Sequence, residues 1–163
     1  MLYYHFKYIF AVLRHKWWVF KESCKLGIPI RGILHDFDKF MPSQYYPRVR
    51  AFKKYNTRPP DLKKQNWSPD HEDDEMKLCW LRHYHKNPHH WQWWVTFIDD
   101  GNIKVFPMTD CYRREMLADW IAVSRRPDRQ DIIPWYQQNK DNIILHPETR
   151  EWLEEKLDLT LPL

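Results

Sequence analysis

Three glycines in 163 residues is the tightest constraint this chain places on its fold. Barrels and sandwiches lean on glycine for the positive-φ positions of their tight turns. A turn-rich β architecture is therefore excluded, and an all-α fold is expected. Hydrophobic residues make up 43% and charged residues 29% of the chain, enough for one core and one domain over residues 1–163.

The first long segment carries a clear helical period. Phe6, Phe10, Leu13, Trp17, Phe20 and Cys24 recur at steps of three and four. Tyr8, Val12, His15, Val19 and Leu26 line the opposite side, with a narrow polar strip of Lys7, Arg14, Lys21 and Lys25 between them. Two apolar faces predict a central helix buried on both, ended by Gly27 and Pro29. Lys7, Arg14 and Lys16 interrupt the stretch well before the roughly 20 apolar residues a membrane span needs. No small-residue cleavage site follows it. The expectation is a soluble, cytoplasmic protein without a membrane partner. Cys24, Cys79 and Cys111 show no CxxC spacing and read as buried thiols of a reducing compartment.

Further along, IRGILHDFDKF predicts a short second helix that Pro42 and Ser43 break, and residues 43 to 55 a third. The polar, proline-bearing stretch from Asn56 to Asp74 reads as a long surface loop. Residues 72 to 86 predict a helix with acidic residues in its first turn. Two β-rich runs around DDGN predict a small hairpin near 93–106. Asp110 is the expected cap of a helix that Pro127 closes, and residues 131 to 140 and 147 to 157 predict two more.

Residues with metal and proton chemistry are spread along this frame. His35 and Asp36 are adjacent on the predicted second helix, and imidazole beside carboxylate suits a divalent cation. Lys39 follows on the same face and suits a phosphate. His15 sits among Tyr8, Val12 and Val19, where it is either a satisfied core histidine or a ligand. Asp119 lies mid-helix beside Met116, Leu117 and Trp120, an expensive place for a carboxylate unless a cation or donors meet it. Glu115, one turn earlier, is a candidate partner behind the ligands. His83, His85, His89 and His90 cluster in LRHYHKNPHHWQWW. His83 and His85 point to opposite sides of a helix, and His85 leads into the loop bearing His89 and His90. His85 with His89 or His90 is therefore the preferred pair.

The order of these residues resembles the HD phosphohydrolase superfamily: a His on one helix, HD on the next, further His later, and a last Asp on a later helix. HDFDK is similar to the HDxxK form of the HD-GYP cyclic-dinucleotide phosphodiesterases, although the GYP triplet is absent. The resemblance implies a compact HD-type helical bundle holding one or two divalent transition metal ions (Mn, Fe, Ni, Co or Zn). Its core ligands would be His15, His35, Asp36 and Asp119, with His85 and His89 or His90 for a second ion. Lys39 would face the phosphate, aided by Arg31 or Arg82, and His83 or His90 would protonate the leaving oxygen. RHKWWVF, HDFDKF, HKNPHHWQWW, YRREMLADW and WYQQNKDNIILHPETR also resemble a family of short bacterial and phage proteins catalogued as a domain of unknown function. The expected activity is hydrolysis of a nucleotide or cyclic nucleotide, in the host cytoplasm if the chain is phage-encoded. Trp91, Trp93 and Trp94 would either stack on a base or pack the hairpin.

Two rivals stand beside this reading. A nucleic-acid phosphodiesterase would use the modest basic track of Arg48, Arg50, Lys53, Lys54, Lys63 and Lys64, in a chain of net charge +4. A non-catalytic binding or inhibitor protein on an HD-like scaffold would hold no metal. Oligomeric state is not encoded in any pattern found here.

Overall fold

The computed structural model describes residues 2–57, 73–126 and 129–158. Among them are seven α-helices: α1 (Leu2–Lys25), α2 (Pro29–Leu34), α3 (Pro42–Thr57), α4 (Asp74–Tyr84), α5 (Asp110–Ser124), α6 (Ile132–Asn139) and α7 (Pro147–Lys156). The one sheet of the described residues is a hairpin of β1 (Val95–Phe97) and β2 (Ile103–Val105). Its antiparallel register sets Val95 opposite Val105 and Phe97 opposite Ile103, and Gly101 takes the positive φ that the DDGN turn requires. The chain is thus mostly helical with a small hairpin where the β-rich runs fall. The long loop expected from Asn56 to Asp74 falls mainly on residues 58–72, outside the described residues. No described helix is long and apolar enough to cross a membrane.

The residues form two compact units, Met1–Arg14 with Asp36–Lys86, and His15–His35 with Asn87–Leu163. In the first, Tyr8 and Val12 of α1 pack on Val49 of α3, with Tyr4, Phe40, Tyr45 and Phe52 around them. Gln44 ties α3 to α4 by donating to the Cys79 carbonyl at 3.2 Å, and the Arg48 guanidinium lies 4.2 Å from the Trp80 ring centre. In the second, α5 is central, burying Glu115, Met116, Leu117, Ala118, Asp119 and Ala122. Met116 and Leu117 join Met108, Tyr136, Ile143, Leu145, Leu153 and Leu157 in one core, while Ala118 and Ala122 pack on Val19 of α1. Met108 N donates to Thr149 Oγ1 at 2.9 Å, which ties the strand exit to α7. Tyr136 O–H donates to Glu154 at 2.9 Å, and burial first, then that bond, push its hydroxyl up to about 12.

Several local expectations are corrected. The helix α1 is covered on one face only: Tyr8, Val12 and Val19 are buried, whereas Phe6, Phe10, Leu13 and Trp17 are exposed. Both faces are apolar, so periodicity alone cannot say which one is covered. Pro29 and Pro42 do not merely stop helices; each opens the next one, where the missing N–H costs nothing. The helix through HDFDKF ends at Leu34. His35 is extended (φ −47°, ψ 129°), Asp36 is left-handed (φ 54°), and Phe37–Phe40 is a 3₁₀ turn. His35 and Asp36 therefore sit in a break between helices, not on one helix. Thr109, not Asp110, is the cap position of α5, and Asp110 is its first helical residue, held by Arg113 and Arg114. The three thiols are not uniformly buried: Cys24 is exposed, Cys111 intermediate and Cys79 buried.

The approach of α2 to α1 rests on Gly32. A Cβ there would lie 2.7 Å from Ser23 Cβ and 2.9 Å from Phe20 Cα. Phe20 Cα is backbone and cannot swing aside. Gly32→Ala is therefore expected to destabilise the protein by about 1–3 kcal/mol, read as a lowered midpoint in urea unfolding. An unchanged midpoint would mean that α2 is not seated on α1.

Candidate metal centre

The second unit assembles its polar centre from three separated stretches. Glu115 and Asp119 are one turn apart on α5 and share a face. His15 comes from the same covered side of α1 as Val12 and Val19. His35 is delivered by the end of α2, where Lys16 Nζ donates to the Ile33 carbonyl at 3.1 Å and also to the His35 carbonyl. That lysine satisfies carbonyls the short helix leaves open. His89 sits in a turn pinned by His90 N donating to Asn87 O at 3.0 Å and by Trp94 Nε1 donating to Pro88 O at 2.7 Å.

Their geometry is a chain of imidazole–carboxylate contacts. His15 Nε2 lies 3.0 Å from Asp119 Oδ1, and His35 Nε2 lies 3.6 Å from the same oxygen. His35 Nδ1 and His89 Nδ1 meet Glu115 Oε1 at 3.1 and 3.3 Å. Arg31 Nε donates to Glu115 Oε2 at 2.9 Å, while its guanidinium lies 4.2 Å from the Tyr112 ring centre. His35, His89 and Glu115 are buried, at 1%, 1% and 3% exposure. Burial pushes the Glu115 carboxyl up, but the bonds and charges of His35 and His89 prevail and bring it from 4.5 to about 2. Burial likewise works against the Asp119 carboxylate, and the bonds from His15 and His35 overcome it and hold its pKa well below the usual range.

His15, His35 and Asp119 form one grouping of donor atoms close enough to hold a metal ion, and His35, His89 and Glu115 form another. Imidazole nitrogens with carboxylate oxygens are the donor set that divalent transition metals take, so these residues fit such an ion. The sequence treated Glu115 only as a partner behind the ligands; in the structure it touches both His35 and His89. Its position one turn from Asp119 was the signal for a larger role.

In the first unit His83 is enclosed by two carboxylates, with Nε2 3.2 Å from Asp36 Oδ1 and Nδ1 2.8 Å from Asp38 Oδ2. Lys39 is ion-paired to Asp36. His85 is exposed and is in none of the groupings of possible ligand atoms among the described residues. The inward face of α4 carries Met76, Cys79 and His83 at steps of three and four, so His83 takes the buried place and His85 cannot. Asp38 was missed; two residues after Asp36, it falls on the opposite side of a helix while that stretch is read as helical. His90 stacks beside His89, ring centres 4.2 Å apart. Trp91 and Trp94 pack against the core, and Trp93 is exposed. Of the basic track, Arg48 is buried, Lys53 is exposed, Arg50 and Lys54 pair with Glu75 and Asp73, and Lys63 and Lys64 lie outside the described residues.

Removing a buried carboxylate with three cationic or N–H partners strands all of them. Glu115→Ala is expected to cost about 3 kcal/mol in chelator-treated protein, against less than about 1 for the exposed Asp110→Ala, as measured by urea unfolding. A carboxyl lowered from 4.5 to about 2 contributes stability that is complete above pH 4.5 and lost as pH falls toward 2. The gap between wild type and Glu115→Gln should therefore narrow across that interval. A gap independent of pH there would contradict the assigned contacts.

No curated protein and no solved structure matches this chain. Residues 4–159 match DUF5662, a family of unknown function, and the chain belongs to that family.

Proposed function

We propose that this protein is a metal-dependent phosphohydrolase of HD type, acting on a nucleotide or cyclic nucleotide. The observation that carries the reading is the double use of His35. One ring nitrogen faces Glu115 and the other faces Asp119, where His15 also converges. A ligating histidine characteristically gives its second N–H to a carboxylate, which fixes the tautomer and the ring. Glu115, already neutralised by Arg31, suits that orienting role. His15, His35 and Asp119 are then the residues that would hold an ion, and His89 with Glu115 offers the site for a second. Such an ion supplies Lewis acidity toward phosphoryl oxygens and acidifies a water.

The rest of the assignment concerns the chain's own groups. Arg31 is anchored at Nε, and its side chain stays 31% exposed, so its remaining N–H groups suit a phosphate oxygen at the rim. His83 is held between Asp36 and Asp38 and is poorly placed to give up a proton to a substrate. His90, half-buried beside His89, is the better candidate to protonate the leaving oxygen. Arg48 is buried and Arg50 and Lys54 are paired with Glu75 and Asp73, which lowers the charge this part of the track offers a nucleic acid. The nucleotide class rests on the HD resemblance and on the exposed aromatic Trp93 as a stacking surface.

Elemental analysis of purified protein tests this directly. One to two equivalents of a transition metal are expected, and His35→Ala and Asp119→Ala should lose them while keeping their helical circular dichroism. Metal-loaded protein should then hydrolyse bis(4-nitrophenyl) phosphate, with a loss of about 10²-fold or more in the same variants. Asp36→Ala separates the HD assignment, which counts Asp36 among the ligands, from a site confined to His15, His35 and Asp119. Absence of metal after incubation with Mn, Ni or Zn would overturn the hydrolase reading and leave a binding protein.

A further inference from the structure

The uncovered face of α1 has no role in either core. Phe6 is 65%, Phe10 67%, Leu13 51% and Trp17 56% exposed, and Leu2 continues the line at 70%. From Leu2 to Trp17 the stripe runs about 22 Å along the helix. Beside its second half, Gly32 seats α2 against Phe20 and Ser23. There Ile30, Ile33 and Leu34 are exposed as well, so the apolar surface broadens from one helix onto two. Isolated exposed apolar residues need no explanation, but a contiguous patch of this kind marks an interaction surface.

The charges bordering the stripe identify what it meets. Phe6, Phe10, Leu13, Trp17, Phe20 and Cys24 alternate in steps of four and three, the spacing of a coiled-coil seam. The position after each of Phe6, Leu13 and Phe20 is basic: Lys7, Arg14 and Lys21. In an antiparallel pair of such helices this row would face its own copy, positive against positive. In a parallel pair it would face Ile9, Lys16 and Ser23, which offer no acid. The one acidic residue of α1 is Glu22, which is buried and held by Lys25 and Arg125. A second copy is therefore disfavoured. Seams between protein helices also favour Leu, Ile and Val, whereas four of the six seam residues here are Phe or Trp.

Aromatics beside a basic row are what the interface of an anionic bilayer accepts. Lys7 Nζ lies 4.5 Å from the Tyr3 ring centre and Lys21 Nζ 5.7 Å from that of Trp17. Each lysine thus lies along an aromatic body with its charge beside the ring, the arrangement that lets an ammonium reach headgroup level while the ring enters the acyl boundary. We propose that the outer face of α1, extended by α2, docks this protein on an anionic lipid surface. The absence of a membrane-spanning helix does not bear on this, because a surface helix lies in the plane and needs no spanning length.

Sedimentation with vesicles tests the proposal using the full chain. The protein should pellet with phosphatidylcholine vesicles containing about one third phosphatidylglycerol, and at least about tenfold less with phosphatidylcholine alone. Binding should weaken steeply with added salt. Phe10→Glu with Trp17→Glu, and separately Lys7→Glu with Lys21→Glu, should each cut binding by about tenfold or more. These positions are outside the cores, so thermal melts should be unchanged; if the aromatic pair fails to fold, the lysine pair carries the test. Equal uptake by neutral vesicles would overturn the anionic assignment. Failure to bind either vesicle would overturn the proposal, and a dimer that Phe10→Glu splits would assign the face to a second copy instead.

Discussion

Two carboxylates buried on one face of α5 set the terms for the second unit. An ionised carboxylate without partners is too costly to bury, and α5 cannot place Met116, Leu117, Ala118 and Ala122 in the core without carrying Glu115 and Asp119 inward too. The helix is therefore tenable at the centre only if donors arrive from elsewhere. His15, His35, His89 and Arg31 are those donors, from α1, the end of α2 and the turn before the hairpin. In this unit the polar centre is a condition of packing as well as a feature laid on a finished scaffold.

The two carboxylates are not equivalent. Glu115 meets a permanent cation, because a guanidinium stays charged at any ordinary pH. Among the described residues, Asp119 meets imidazoles alone. Without an ion, its burial is tolerable to the extent that ring N–H groups of His15 and His35 donate to it. Imidazole must be neutral to offer a lone pair to a metal, so ion and proton compete for the same nitrogens. Asp119 is thus the carboxylate whose charge a bound ion would meet. Glu115 is the one whose charge Arg31 already meets, which suits it to hold rings in place whether or not a second ion binds beside His89.

Much of this was legible because helical period and residue chemistry agree. His15 between Val12 and Val19, and Asp119 beside Met116, are polar residues on apolar faces, and both lie where that conflict predicts. His83 was legible too, since Met76, Cys79 and His83 share one face; proximity in sequence to His89 drew attention to His85 instead. The break at His35 was not legible. HDFDKF contains neither glycine nor an internal proline, so nothing local forbids a helix. The turn instead follows from Lys16 closing the end of α2 and from Met41, which precedes Pro42 and is extended as such residues must be. Tertiary contact decided that segment, and tertiary contact is what a single sequence withholds.

The same limit explains α1, and it separates two demands on one helix. Tyr8, Val12 and Val19 account for its folding, each within the core of its own unit. Nothing in either core requires Phe6, Phe10 or Trp17 to be aromatic. Serine or lysine at those positions would leave the covered face intact and would lower the exposure of apolar surface that invites aggregation. Stability therefore gives no reason for the stripe. The folding face is held by packing on Val49, Ala118 and Ala122, whereas the outer face costs solubility and joins neither core among the described residues. A surface that is apolar, aromatic and bordered by cations, outside both cores of the described residues, is the kind of surface that the proposed contact with anionic lipid would use.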